Sequence, residues 1–208
     1  MRRLVLLVLW LSGCALQPAP PPLPASDPGP TAWREQLAQF EHWTLQGKVA
    51  VRAAEHNNAA NLSWTQEGDA YHLFMAGPFG QGATDIKGDP QQLILSQSGV
   101  DPITTRRPEQ LLQQQLGWSF PPHQLAWWVR GLAAPDSPHL AQRDEQDRLQ
   151  QLTQSGWTIR YLRYAPFEAG PELPAKLTLS RGEALKLTLV VKAWQPLPSS
   201  GATSTPSD

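Results

Sequence analysis

From Trp43 to Val191 the apolar residues of this chain recur at every second position in one short segment after another. Trp43, Leu45, Gly47, Val49 and Val51 alternate with Thr44, Gln46, Lys48, Ala50 and Arg52, and Leu62 and Trp64 continue the alternation beyond a turn expected near Asn57-Asn58. Tyr71, Leu73 and Met75 then oppose His72 and Phe74, and a further strand is expected from Gln91 to Gln97. Trp157, Ile159 and Tyr161, then Leu177 and Leu179, then Leu185, Leu187, Leu189 and Val191 repeat the pattern, the last group opposite Lys186, Thr188 and Lys192. Side chains of a strand alternate between faces, so each segment has one dry face and one wet face. This excludes a parallel sheet covered by helices on both sides and requires antiparallel strands with a solvated outer surface. The dry faces must still be buried together. The chain is therefore read as mainly β, a strongly curved sheet or incomplete antiparallel β-barrel whose hydrophobic interior is closed by α-helices.

The helices that could close it show in a change of period. Thr31 can cap a helix on which Trp33, Leu37 and Phe40 form one stripe. Pro108 to Leu116 reads as a short helix ended by Gly117, and Pro121 to Leu132 as a second, with Leu125, Trp128, Val129 and Leu132 on one side. Arg130 lies in the last turn of the second, where the helix dipole favours a cation. Residues Ala133 to Arg148 read as a polar loop. The sequence holds nine tryptophans, more than the covering of a small sheet requires. Their rings suit either a filled core or a pocket for an apolar ligand, and the pattern leaves both open.

At the start of the chain, Arg2 and Arg3 precede an apolar run from Leu4 to Leu11, followed by Ser12, Gly13 and the single cysteine, Cys14. The run is too short to span a bilayer as a helix and has the form of a secretory signal. Leu11-Ser12-Gly13-Cys14 fits a bacterial lipobox, with cleavage before Cys14 and acyl chains attached to it. Two or more chains make a stable anchor at about 0.8 kcal/mol per buried methylene. Ala15 follows the cysteine where an aspartate would direct retention at the inner membrane, so an outer-membrane, periplasm-facing location in a Gram-negative bacterium is expected. Residues 14–30 form a lipidated, proline-rich spacer. The folded domain is placed at 31–195, and 196–208, rich in Ser, Thr, Pro and Gly, is expected to be a disordered tail.

Seventeen Lys and Arg against eighteen Asp and Glu give a formal charge of −1, and the chain becomes more acidic once Arg2 and Arg3 leave with the signal. The basic residues read as scattered, so no nucleic-acid partner is expected. A lone cysteine rules out a disulfide framework. His42, His56, His72, His123 and His139 do not fall at metal-ligand spacing, and no nucleophile elbow or phosphate-binding glycine loop is present. Asp144, Glu145 and Asp147 read as a solvated turn. Neither enzymatic activity, metal nor cofactor is expected beyond the acyl chains on Cys14.

Ala76-Gly77-Pro78-Phe79-Gly80-Gln81-Gly82-Ala83 joins two alternating segments as a hairpin tip. Gly77, Gly80 and Gly82 give the backbone access to positive φ, and the tip has no side chains large enough to cover Phe79. The ring either folds back onto the sheet as a lid or projects outward.

Seven short motifs, in order, resemble those of the LolB family of outer-membrane lipoprotein receptors. They are Trp43-x-Leu45-x-Gly47-Lys48-x-Ala50-Val51, Leu62-x-Trp64-x-Gln66 and Gly77-Pro78-Phe79-Gly80, then Leu116-Gly117-Trp118, Trp128-Val129-Arg130-Gly131-Leu132, Gln154-x-Gly156-Trp157-x-Ile159-x-Tyr161 and Leu173-Pro174-x-x-Leu177. The resemblance spans Thr31 to Trp194, behind a lipobox. It departs at the tip, where that family usually carries Leu in place of Phe79. It implies a monomeric receptor whose cavity takes the acyl chains of lipoproteins from the periplasmic carrier LolA and passes them to outer-membrane lipid. Pro78, Phe79 and Gly80 would then form a membrane-insertion tip. Strand parity assigns the acyl-binding lining to Val49, Trp64, Leu73, Met75 and Leu187, with Trp128 contributed by a covering helix. The competing reading is a lipid-anchored structural or assembly factor of the outer membrane, with a filled core and no acyl cavity.

Overall fold

The computed structural model describes residues 32–53, 56–135, 137–167 and 171–198. The signal, Cys14, the spacer and Thr31 lie outside the described residues, as do residues 199–208 of the tail. The chain opens on α1 (Ala32–Gln39) and then builds β1 (His42–Ala53), β2 (His56–Glu67), β3 (Ala70–Ala76), β4 (Thr84–Gly88), β5 (Leu93–Gln97) and β6 (Val100–Thr105). Two helices follow, α2 (Pro108–Leu116) and α3 (Pro122–Val129). The sheet then resumes with β7 (His139–Arg143), β8 (Leu149–Gln154), β9 (Trp157–Ala165), β10 (Leu173–Arg181) and β11 (Leu185–Pro196).

All the strands belong to one sheet in the order β6-β5-β4-β3-β2-β1-β11-β10-β9-β8-β7. Every neighbouring pair is antiparallel, so the expected one-sided architecture holds. The barrel is incomplete because β6 and β7 are the two edges. Since α2 and α3 lie between those edges in sequence, the chain crosses the concave side there, and their apolar residues meet the dry faces of the strands. The first and last strands meet at the centre, where β1 pairs with β11 from Trp43–Pro196 to Arg52–Lys186. Gly47 sits at a bulge in this pair, and a Cβ there would come within 2.5 Å of the Val190 carbonyl oxygen. Only glycine allows that approach.

Several boundaries differ from the sequence reading. Asn57 and Asn58 are strand residues opposite Arg52 and Val51, because the β1–β2 pairing continues past them to Ala53 and His56. The strand expected from Gln91 begins at Leu93, since the Asp89 carboxylate accepts the backbone N–H groups of Gln91 and Gln92 and holds them in a turn. β6 was not legible, for its exposed edge residues lack alternation. The supposed loop 133–148 contains edge strand β7, with Asp144 accepting from the backbone of Gln146 and Arg148 in the turn that follows. Pro196 belongs to β11 rather than to a tail, and the Leu197 N–H donates to the His42 carbonyl. α2 ends as expected, at a left-handed Gly117.

α3 stops at Val129, short of Leu132, because Arg130 and Gly131 turn the chain back and Gly131 takes φ 84°. Arg130 is buried, with Nε donating to the Ala126 carbonyl and Nη1 to those of Leu37 and Phe40. One guanidinium thus satisfies the C-terminal ends of both α1 and α3, and it lies 4.5 Å from the Trp127 ring centre. Burial lowers its pKa to about 10, against the opposing pull of Glu41, which leaves it charged at neutral pH.

On the other side of α3, the buried Gln154 accepts from Trp128 Nε1 at 2.7 Å and from the Ala134 N–H at 2.9 Å, and donates to the carbonyls of Ala134 and Ser137. Gln154→Leu is expected to strand these groups and to lower stability by about 3 kcal/mol, read as a lower urea midpoint with an unchanged m value.

Candidate functional site

The concave face encloses one entirely apolar cavity of about 40 Å³. Cross-strand neighbours Trp64 and Leu73, Leu62 and Met75, and Val49 and Leu189 form its sheet wall, with Leu179 and Leu187 beside them. Leu125 and Val129 of α3, and Trp118 and Phe120 from the α2–α3 connection, form its cover. Val49, Trp64, Leu73, Met75 and Leu187 therefore come together as parity placed them. Trp128 does not join them. Its ring is wholly buried on the opposite flank of α3, bonded to Gln154 and packed on Trp157 with ring centres 6.1 Å apart, while the Tyr161 hydroxyl donates to its carbonyl. Leu125 and Val129, one turn apart, are the residues that α3 turns toward the cavity. Leu62 shares the parity of Trp64 and was legible; Trp118 and Phe120 lie outside any helix or strand and had no periodicity to mark them.

At 40 Å³ the space is close to the share of a single water molecule, far below the roughly 300–1,000 Å³ of pockets that enclose small-molecule ligands. Beside it lies an open vestibule of about 270 Å³ that shares Val49, Met75 and Trp118 with the cavity. The vestibule reaches Gly82 and Thr84 at the base of the hairpin tip. Trp118, stacked on Phe120 with centres 5.6 Å apart, is the cover residue common to both spaces.

The tip leaves the sheet at Ala76, makes one tight turn over Pro78–Gly80, and returns at Thr84. Phe79 is 101% exposed: the ring projects outward and covers nothing. Gly80 and Gly82 adopt positive φ as expected, but Gly77 does not. Its φ of −67° and ψ of −176° are extended, and it is small because a Cβ would lie 3.1 Å from the Gln81 carbonyl, to which its own N–H donates. The left-handed residue in its place is Phe79 itself, at φ 60° and ψ 23°. For an aromatic residue that conformation costs of order 1 kcal/mol or more.

Two other readings are tested by the fold. Asp144, Glu145 and Asp147 do form a turn, but Asp144 is paired with Arg148 and Asp147 with Arg34, so two of the three brace structure. The basic residues are not scattered. β1, β9, β10 and β11 contain no Asp or Glu, and the sheet order makes them neighbours, so their outward lysines and arginines share one convex face.

A curved, open antiparallel sheet folded over an apolar cavity, with helices across the concave side, defines a carrier of apolar groups. Two solved structures share the architecture: a LolA superfamily protein from Nitrosomonas europaea (TM-score 0.50, 13% identity, covering 81% of this chain and 96% of that one) and a DUF1329 family protein from Desulfovibrio piger (TM-score 0.51, 4% identity, 78% and 89%). At these identities they show the fold alone. The outer membrane lipoprotein LolB family matches residues 41–194. Outer-membrane lipoprotein LolB of Stutzerimonas stutzeri is 39% identical over 194 residues, covering 91% of this chain and 92% of its own, and that of Chromohalobacter salexigens is 41% identical, covering 93% and 89%. The chain belongs to the LolB family. It is an outer-membrane, lipid-anchored protein of a Gram-negative bacterium and acts as a lipoprotein receptor in lipoprotein localisation.

Proposed function

We infer that the chain accepts the acyl chains of lipoproteins from a LolA-type periplasmic carrier into the cavity under α3 and releases them into the outer membrane beside Phe79. The observation that carries this reading is the run of space from the apolar cavity, past Trp118, through a vestibule of mixed lining in which Val49, Val51, Met75 and Leu116 form the apolar part, to the base of an exposed aromatic tip. Exposing several long acyl chains to water costs tens of kcal/mol at about 0.8 kcal/mol per methylene, so cargo needs a dry path. Transfer without an energy source requires only that each successive site bind more tightly, about tenfold for each 1.4 kcal/mol, with the bilayer as the deepest well. No covalent chemistry is needed, and the chain is read as a monomeric, non-enzymatic receptor.

The closed volume requires the α2–α3 cover to move outward as a chain enters. Trp118 and Phe120, which no periodic element holds, are the side chains to yield, joining cavity and vestibule into one space.

Cys14 serves as anchor only. The mature chain carrying Cys14→Ser is expected to be soluble and to take cargo from LolA at the native level, measured as transfer of a radiolabelled lipoprotein between the two purified proteins. A folded soluble chain that takes none would place the tether within the binding site. The small cavity favours the competing reading of a filled-core assembly factor. That reading predicts no co-purifying lipid by mass spectrometry and no saturable binding of a fluorescent fatty acid.

A further inference from the structure

The cations gathered on the convex face have no role in the acyl route, which runs along the opposite, concave side. Lys48 and Arg52 of β1, Arg160 and Arg163 of β9, Lys176 of β10 and Lys186 of β11 are all exposed, and none makes an ion pair among the described residues. Arg181 at the end of β10 does pair, with Glu109, and lies outside this set. The register fixes the arrangement. Arg52 is directly opposite Lys186, while Lys48, Val190, Lys176 and Arg163 form a row across four strands. Neighbouring strands lie about 4.8 Å apart and residues rise about 3.4 Å along each. Each cation therefore has a neighbour about 5–10 Å away, on the scale of the Debye length at physiological salt, within a set that spans roughly 14 Å in each direction. The chain as a whole is slightly acidic, so this positive field is local.

We propose that this convex face is a docking surface for anionic phospholipid headgroups, seated on the membrane to which the protein is tethered. Three observations select a lipid surface over an acidic protein. The residues between the cations are Ala50, Thr178, Thr188 and Val190, with one exposed Leu162 at the β9 border, so the face has no aromatic residue and no apolar cluster at its centre of the kind on which specific protein interfaces depend. Its cations are long, solvated and spread across a sheet surface, which suits a diffuse field of headgroups. Its Arg52–Lys186 end lies at the same end of the sheet as the Phe79 tip: β1 runs toward Arg52 as β3 runs toward the tip, with β2 antiparallel between them. Basic face and apolar tip can thus meet one bilayer together, the first holding the headgroups and the second entering below them.

The proposal uses the outer-membrane location but not the acyl route, so its test needs no cargo. The mature chain carrying Cys14→Ser is mixed with vesicles of phosphatidylcholine alone or with phosphatidylglycerol added, and bound protein is measured by flotation. Each cation near an anionic surface raises partitioning about fivefold. The parent chain is expected to favour anionic vesicles by at least about a hundredfold, and 0.5 M salt is expected to remove the preference. Lys48→Gln/Lys176→Gln should lower binding to anionic vesicles on the order of twentyfold without changing binding to neutral ones, and the charge-reversed Lys48→Glu/Lys176→Glu should lower it further. Circular dichroism and the urea midpoint verify folding, which these exposed positions should leave unchanged. Phe79→Glu is expected to keep the salt-sensitive component. Equal binding of the parent to both vesicle types, or full binding by folded double variants, overturns the proposal while leaving the cavity reading intact. Double variants that bind vesicles normally but fail to take cargo from the carrier would identify the face as a protein dock, and the lipid proposal fails.

Discussion

A Leu73→Glu chain is expected to lose binding of acyl chains altogether. Leu73 is 3% exposed, paired across the strands with Trp64 on one side and Ile86 on the other, and its side chain lines the apolar cavity. The side-chain donors among the cavity residues are two neutral indole N–H groups, that of Trp64, already bonded to Gln66 Oε1 at 3.0 Å, and that of Trp118 in the cover, and neither supplies a counter-charge. An unpaired buried charge costs several kcal/mol, so the carboxyl either takes up a proton, draws water into the cavity, or unfolds the domain. Each outcome removes the dry space. Leu73→Ala is the companion variant. It costs about 2–5 kcal/mol of stability through the lost side chain and the void left behind, yet it enlarges the cavity and should retain fatty-acid binding. A fluorescent fatty-acid titration alongside a urea melt separates loss of site from loss of fold. Unchanged binding by a folded Leu73→Glu chain would show that this face is not where acyl chains reside.

Phe79→Glu is expected to receive cargo nearly as the native chain does but to deliver it to membranes many times more slowly. Burial of the ring in the inner leaflet contributes roughly 1.5–3 kcal/mol, too little to anchor the protein but enough to disturb the lipid beside the vestibule. Phe79→Leu keeps an apolar tip and should deliver almost normally. The left-handed backbone at Phe79 adds a sharper variant: Phe79→Gly fits φ 60° without strain, so it should raise the melting temperature while slowing delivery. A tip kept for folding would show the reverse, with stability and delivery moving together. Cargo bound and cargo reaching liposomes are measured separately after loading each variant. Loss of receipt with delivery intact, or no change in either, would make the tip a bystander to release.

Much of this was legible because it is local. Alternation along each strand fixed which of Val49, Trp64, Leu73, Met75 and Leu187 face inward, and neighbouring strands that share a dry face must share a core. Pro108 and Gly117 bounded α2 by the chemistry of its first turn and its cap. The glycines around Phe79 marked a tip, though not that Phe79 itself would take the left-handed turn while Gly77 stayed extended.

What the sequence could not determine depends on which strands become neighbours. Trp128 and Val129 both lie on the apolar side of a helical wheel, and only the side-chain amide oxygen of Gln154, supplied by β8, decides that the indole leaves the cavity and Val129 enters it. The cavity volume is likewise a property of how the cover settles on the sheet, which no periodicity encodes. Most decisive is the pairing of β1 with β11. Residues separated by most of the chain become adjacent there, and cations that read as scattered along the sequence gather on one convex face. Alternation determines which side of a strand each lysine occupies; strand order, a contact made across the whole length of the chain, determines which other charges lie beside it.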